Sequence, residues 1–201
     1  MFKSVLAGFS IGIACILFLT SANPMIGALL FGIGLLNIRL SKTKLVTGNM
    51  QRLVTDCEET YYGILGMLIG LFLMFILNAC GVMWAAWLGV AIPGVHAAAL
   101  TIAEHKLAMT LVEVFARAII CGYLMTIATR SSTPLWMTPL CVFAFVYTGM
   151  CHCVADVFYY FMLSSPSACL PHLGVTIAGN TLGAIGAAVR PAPPASPSGT
   201  R

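Results

Sequence analysis

Residues 61–83 read YYGILGMLIGLFLMFILNACGVM, a run without a single Asp, Glu, Lys or Arg. A helix that crosses a bilayer needs about 20 consecutive apolar residues, and this stretch supplies that length alone. Charge-free windows of similar character recur over 4–38, 60–103, 131–155 and 157–189. Across all 201 residues, 60% are hydrophobic, 8% are charged and the mean hydropathy is +0.97. A soluble domain carries roughly a quarter charged residues, so this chain lacks the polar side chains to cover a globule in water. A soluble enzyme and a nucleic-acid binder are thereby excluded. A membrane β-barrel would show short alternating strands, and the sequence has none. The class that remains is an all-α membrane protein with several spans.

Working outward from 61–83, the sequence divides into six spans. The first covers about 4–21 and ends at the breaker pair Asn23-Pro24. The second runs from Met25 to Ile38 and meets Arg39, Lys42 and Lys44, then Thr47-Gly48-Asn49. The third is the opening run, followed by a connection over 84–103 that Pro93-Gly94 interrupts. The fourth covers 107–129 and the fifth 135–163. After the breaks at Pro166 and Pro171, the sixth covers 173–189. Residues 1–189 thus form one transmembrane domain, and the Pro/Ser-rich stretch 190–201 is expected to be a disordered tail. Only Lys3 precedes the first apolar run and no clear cleavage site follows it, so that run reads as a retained span.

Alternation across six spans puts Lys3, Arg52, Arg130, Arg190 and Arg201 on one side, with only Glu104 and Lys106 near a span end on the other. The excess of Lys and Arg in cytoplasmic loops then predicts a plasma or inner membrane protein with both termini in the cytoplasm. The net charge of +4 is too small to indicate a partner. Of the eight cysteines, Cys15, Cys80, Cys121 and Cys141 sit inside apolar runs, where a free thiol behaves as a small hydrophobe.

A faint duplication sets Val5 and its followers against Val114 and its followers. Two halves of three spans each must lie in opposite orientations, and broken helices at matching positions mark a substrate path near the bilayer midplane. The matching polar interruptions are 47–49 in the second span and 152–156 in the fifth, about 107 residues apart.

Ionisable groups at membrane depth are functional candidates. His152 lies in the middle of the fifth span. Asp156 either shares a helix face with it or caps the second half of a broken helix; Thr47 or Asn49 would cap likewise in the second span. Freed backbone at such breaks is tolerated only where protein buries it or a cavity receives it. Lys106 stands at the head of the fourth span with no obvious partner beyond Glu104, and an unmatched ammonium there attracts anions. Glu113 and Arg117 have the favourable spacing of an intrahelical ion pair. Arg39, Lys42 and Lys44 add positive charge near the inner break, with snorkelling to the surface as their ordinary role. Cys151-His152-Cys153 with Asp156 offers metal-binding atoms but lacks two spaced ligand pairs, so no metal and no cofactor is expected.

In order along the chain, five segments resemble motifs of the formate/nitrite transporter family. Residues 7–13, AGFSIGI, resemble its first-span AGxxIGIG, and 45–49, LVTGN, resemble LFTGN. Residues 115–124, FARAIICGYL, resemble FxRAIxCNxL, and 149–158, GMCHCVADVF, resemble GxEHSxANMF. Residues 175–180, VTIAGN, resemble the sixth-span motif that carries a pore asparagine. The resemblance implies pentameric channels with six spans per subunit in an aquaporin-like inverted repeat, helices two and five broken. By position it makes His152 the central pore histidine, Lys106 the buried lysine near it, and Thr47 and Asn180 hydrogen-bonding companions. It places the hydrophobic constrictions at Phe31, Leu35, Leu45, Met125 and Phe145, and the capping positions at Asn49 and Asp156.

The chain departs from the pattern at Lys42, Lys44, Gly122, Cys151 and Asp156. The family has glutamate where Cys151 stands and asparagine where Asp156 stands, so the aspartate is expected to cap a helix end, pair with a cation or stay protonated. The resulting expectation is a non-enzymatic channel for small monovalent anions or their conjugate acids: formate, nitrite or hydrosulfide, with protonation in the pore. A neutral-solute pore is the alternative; the paired Asn-Pro-Ala motifs of water and glycerol channels are missing, and Asn23-Pro24 lies in a loop. A non-conducting membrane protein is a further alternative.

Overall fold

The computed structural model describes residues 1–56 and 60–189, and the tail expected over 190–201 lies outside them. The described residues are helical, with no strand among them. Helix α1 is Phe2–Thr20 and α2 is Pro24–Leu40. Asn23 caps α2 through its side-chain oxygen, and Pro24 occupies the first helical position, where its missing N–H is no loss. A short turn of helix, α3, is Arg52–Thr55. Helix α4, Tyr61–Val90, is capped by Thr60. Then come α5, Val95–Leu107, and α6, Leu111–Thr129. Helices α7, Met137–Tyr147, and α8, Cys153–Tyr160, lead to α9, Leu170–Ala188.

Four of these elements are long and apolar enough to cross a membrane: α1, α4, α6 and α9 with the 3-10 turn before it. Helices α2 and α7 are apolar but shorter. The exposed face of α4 carries Leu68, Phe72, Leu73, Ile76 and Trp87, an apolar surface that suits lipid or a neighbouring subunit rather than water. The chain is a multi-pass membrane protein.

The segment 84–103, expected as a connection, is mostly helix. Helix α4 continues to Val90, and its 30 residues span about 45 Å at 1.5 Å each. Gly94 adopts a positive φ of 83° at the start of α5, so Pro93-Gly94 interrupts four residues rather than the whole stretch. Lys106 consequently lies in the last turn of α5 and does not begin α6. Helix α2 stops at Leu40, and Lys42 follows with a φ of 51°. Helical bonding stops again after Tyr147, Gly149 turns at a φ of 68°, and α8 starts at Cys153.

Two arrangements of close-packed helices hold these irregular segments. Helix α1 lies along α4, where a Cβ on Gly8 would fall 1.9 Å from the Asn78 carbonyl oxygen and one on Gly81 2.0 Å from that of Val5. Helix α6 lies along α9 in the same way: a Cβ on Gly122 would fall 2.1 Å from the Asn180 carbonyl oxygen, and one on Gly183 2.0 Å from that of Ile119. Small residues let helix backbones approach this closely in membranes.

At each contact an asparagine turns inward and clamps a non-helical segment. Asn78 accepts from the Val46 N–H (2.8 Å) and donates to the carbonyls of Lys44 (3.0 Å) and Ser4 (2.7 Å). Asn180 accepts from the Cys153 N–H (2.9 Å) and donates to the carbonyls of Cys151 (2.9 Å) and Ala118 (2.8 Å). Leu45 is the residue between the clamped groups in the first case and His152 in the second. These matches pair Gly8 with Gly122. The faint sequence similarity, which sets Val5 against Val114, is out of register, because apolar side chains repeat without identifying which glycine meets the asparagine.

Asn180→Ala would strand the buried Cys153 N–H and Cys151 carbonyl, the Ala118 carbonyl keeping its place in the helical ladder of α6. At roughly 1–3 kcal/mol for each buried group left unsatisfied, we expect a large fall in the unfolding midpoint in detergent. Gly122→Ala, which drives a methyl into the Asn180 backbone, should lower it too, by about 1–3 kcal/mol. Gly174→Ala, whose added methyl meets nothing within 4 Å, should leave it unchanged or raise it.

Candidate functional site

His152 sits at the N-cap of α8 with extended backbone angles (φ −120°, ψ 109°) and is 2% exposed. Its Nδ1 accepts the Ala155 N–H at 3.1 Å, and its Nε2 lies 3.0 Å from the Thr47 hydroxyl. The ring stacks on Phe145, with centroids 5.7 Å apart and planes at 20°. A nitrogen that accepts a backbone N–H carries no proton of its own. The ring hydrogen therefore sits on Nε2 and is donated to Thr47 Oγ1. The cap exists only in this neutral tautomer.

Asn180, expected as a companion of the histidine, holds the backbone on both sides of His152 rather than its ring. Thr47 is the ring's partner, and both Thr47 and Asn180 are fully buried. The cap of α8 is His152, not Asp156, which lies in the first turn. Asn49 likewise begins no helix: it donates to the Leu45 carbonyl at 2.6 Å and pins that turn, while α3 starts at Arg52.

Asp156 turns instead to Lys106. The ammonium lies 3.1 Å from Asp156 Oδ1, 3.3 Å from the Met150 carbonyl and 3.7 Å from Cys151 Sγ. Lysine and aspartate are 5% and 1% exposed. The expected Glu113–Arg117 pair does not form. Glu113 closes a capping box with Thr110, accepting its N–H and O–H at 2.9 Å each. Arg117 donates to the carbonyls of Thr148 and Gly149 and so supports the loop before His152. Arg39 does not snorkel freely either: it donates to Thr138 Oγ1 and to the Arg130 and Thr133 carbonyls.

Two cavities approach this cluster. The first, about 370 Å³, is lined by Phe31, His105, Lys106, Phe145, His152 and Asp156 among others. The second, about 360 Å³, is lined by Arg39, Lys42, Leu45 and Asn49 among others. Met109 lines the first and Thr129 the second, placing them near opposite ends of α6, whose 19 residues extend about 28 Å. The expected constriction residues are all buried, at 1% for Phe31, Leu35 and Met125 and 2% for Leu45 and Phe145. Phe31 meets Phe145 edge-on at 6.4 Å on the floor of the first cavity. Leu45 floors the second, and Leu35 and Met125 line neither.

Asn78 and Arg39 escape the sequence reading as holders of the site. An amide inside an otherwise apolar span was the available signal for Asn78. The partners of Arg39 lie more than 90 residues away and left no local signal. Among the described residues, no group of three or more His, Cys, Asp or Glu side chains is placed to hold a metal ion.

The sequence profile described as formate/nitrite transporter matches residues 1–189. No individually curated protein matches the chain. Among solved structures, the fold is similar to one titled FNT family ion channel, with a TM-score of 0.72 and 20% identity over 93% of this chain and 84% of that one. It is also similar to one titled pentameric formate channel with formate bound, with a TM-score of 0.69 and 20% identity over 92% and 90%. At that identity the structures speak for the fold, and the profile speaks for the family. With its match extending from the first helix to the last, the chain belongs to the formate/nitrite transporter family.

Proposed function

We propose that this protein is a channel for a small monovalent anion that crosses together with a proton, as the neutral acid, with formate, nitrite and hydrosulfide as the candidate solutes. The observation that carries the reading is the pair of cavities at opposite ends of α6, with His152 and Leu45 on their inner floors. The matched clamps of Asn78 and Asn180 support two inverted three-helix repeats, six spans in all, with helices two and five broken. Similarity to a pentameric formate channel supports a homopentamer. Lys3, Arg39, Lys42, Lys44 and Arg130 gather at the end of the second cavity, where Lys44 N–H meets the Lys3 carbonyl and Arg39 the Arg130 carbonyl. Excess Lys and Arg mark the cytoplasmic face, which supports cytoplasmic termini in a plasma or inner membrane.

The chemistry follows from solvation. A bare anion between Phe31, Phe145, Leu45 and their neighbours would lose its water with nothing in exchange, at a cost of many kcal/mol. Protonation removes most of that cost. Lys106, paired with Asp156, meets the anion at short range on the inner side of the first cavity, where solvent supplies the proton. His152 then offers the neutral acid the Nε2–H that it otherwise gives Thr47. Its Nδ1 is committed to the helix, so the ring serves as a hydrogen-bond donor rather than as an imidazolium.

Formate uptake into proteoliposomes should rise as external pH falls, by about tenfold per unit where the undissociated fraction is limiting; uptake independent of pH would refute coupling to a proton. Lys106→Ala should reduce it by tenfold or more, since truncating one member of a buried ion pair leaves the other uncompensated. His152→Asn should keep the helix cap, asparagine being a good N-cap, and hold the melting temperature while reducing formate flux about tenfold. Loss of both together would make the ring a structural element only. Liposome swelling with water in place of formate would identify a neutral-solute pore.

A further inference from the structure

Lys106 is reached from two positions on the segment around His152. Its Nζ lies 3.1 Å from Asp156 Oδ1 and 3.7 Å from Cys151 Sγ. In the motif that this segment resembles, glutamate stands at the place of Cys151 and asparagine at that of Asp156. Here the acidic group stands at 156, and a thiol faces the ammonium from 151. A carboxylate at either position can meet the same lysine, so the geometry permits the counter-ion to be exchanged between them.

Asp156 has no competing task of comparable strength. It does not cap α8, because His152 does. Its Oδ2 makes no hydrogen bond of regular geometry among the described residues. Its strong partner is the ammonium, and it lines the first cavity beside Lys106, His105 and His152. A buried lysine without a counter-ion would be severely destabilised. Paired, the two groups carry no net charge, whether the proton rests on nitrogen or on oxygen.

Resting on the channel reading above, we infer that Asp156 sets the charge of this cavity: it is the counter-ion of Lys106, holds the ammonium at the cavity floor, and keeps that floor neutral so that solute is attracted but not trapped. It is a positioning residue acting through Lys106. Stripped of it, the bare ammonium would bind the anion more tightly and release it more slowly, because a unit charge at low dielectric holds an opposite charge strongly.

The test uses the full chain in liposomes, with formate uptake measured against concentration at fixed pH. Asp156→Asn should lower the half-saturating formate concentration and the maximal rate about tenfold each. Cys151→Glu added to Asp156→Asn should return both to within about threefold of the unaltered protein. Unchanged kinetics in Asp156→Asn, or no recovery in a double variant that assembles normally, would overturn the assignment. If Asp156→Asn fails to assemble, restored assembly in the double variant supports the counter-ion exchange, and continued failure refutes it. Thermal unfolding in detergent supplies a readout that needs no transport. Lys106→Met combined with Asp156→Asn should melt no lower than Asp156→Asn alone, whereas strictly additive losses would show that the two groups do not depend on each other. Absence of formate flux in the unaltered protein would refute the channel reading and leave the thermal cycle to judge the pairing.

Discussion

A bilayer offers no water to a peptide group, so every stretch of backbone that leaves a helix at membrane depth must find partners within the protein. The rest of this structure follows from how that demand is met. At residues 44–46 and 151–152 the chain is outside any helix, and two asparagine side chains supply what the missing helical bonds would have given. An amide suits the task because it carries a donor and an acceptor side by side. It can therefore take an N–H on one side of a residue and a carbonyl on the other, as a neighbouring strand would. To bring the amides within reach, α4 and α9 must lie against α1 and α6 at distances that only glycine permits. Gly8 and Gly122 are thus part of the site although they touch neither cavity.

Once the segments are clamped, their middle residues are fixed in place. Leu45 and His152 occupy equivalent positions between the groups that the asparagines hold. One is a hydrocarbon and the other a ring with a single donor, locked in its tautomer by the turn it caps. Phe145 stacks on that ring, Phe31 meets Phe145 edge-on, and Phe18 meets Phe31. A polar point embedded in aromatic surface results. In the proposed path it is where a solute gives up contact with water for one hydrogen bond.

Much of this was legible in the sequence, and what was not has identifiable causes. Hydropathy found the four long apolar helices because lipid requires runs of about 20 apolar residues. The motifs around His152 and Thr47 placed two groups 105 residues apart that the fold brings to 3.0 Å. Hydropathy could not tell helix from connection over 84–103, since both are apolar there and Pro93-Gly94 reads as a longer interruption than it is. Spacing favoured Glu113 with Arg117, but the first turn of α6 leaves unpaired N–H groups that Glu113 and Thr110 satisfy instead. The partner of Lys106 was invisible for a related reason. Asp156 is 50 residues away in sequence, and only the turn at Gly149 with the extended residues after it carries the carboxylate to the ammonium.

The two cavities differ in how they treat charge, and the difference arises from local geometry rather than composition. In the second, Arg39 is tied to three oxygens that hold the loop before α7, so part of its charge serves the fold. Lys42, beside it, is exposed in a left-handed conformation, which is unfavourable for a side-chain-bearing residue but projects it at the cavity rim. In the first, the ammonium is buried and answered by a carboxylate. A field that reaches into solvent therefore exists at one mouth, while the other holds a neutral pair whose influence falls off within a few ångströms. For a solute that must change from ion to neutral acid along the way, the proposed path is not the same read in both directions. An exposed cation gathers ions at one end; at the other, a compensated pair meets them close to the histidine where their charge has to be lost.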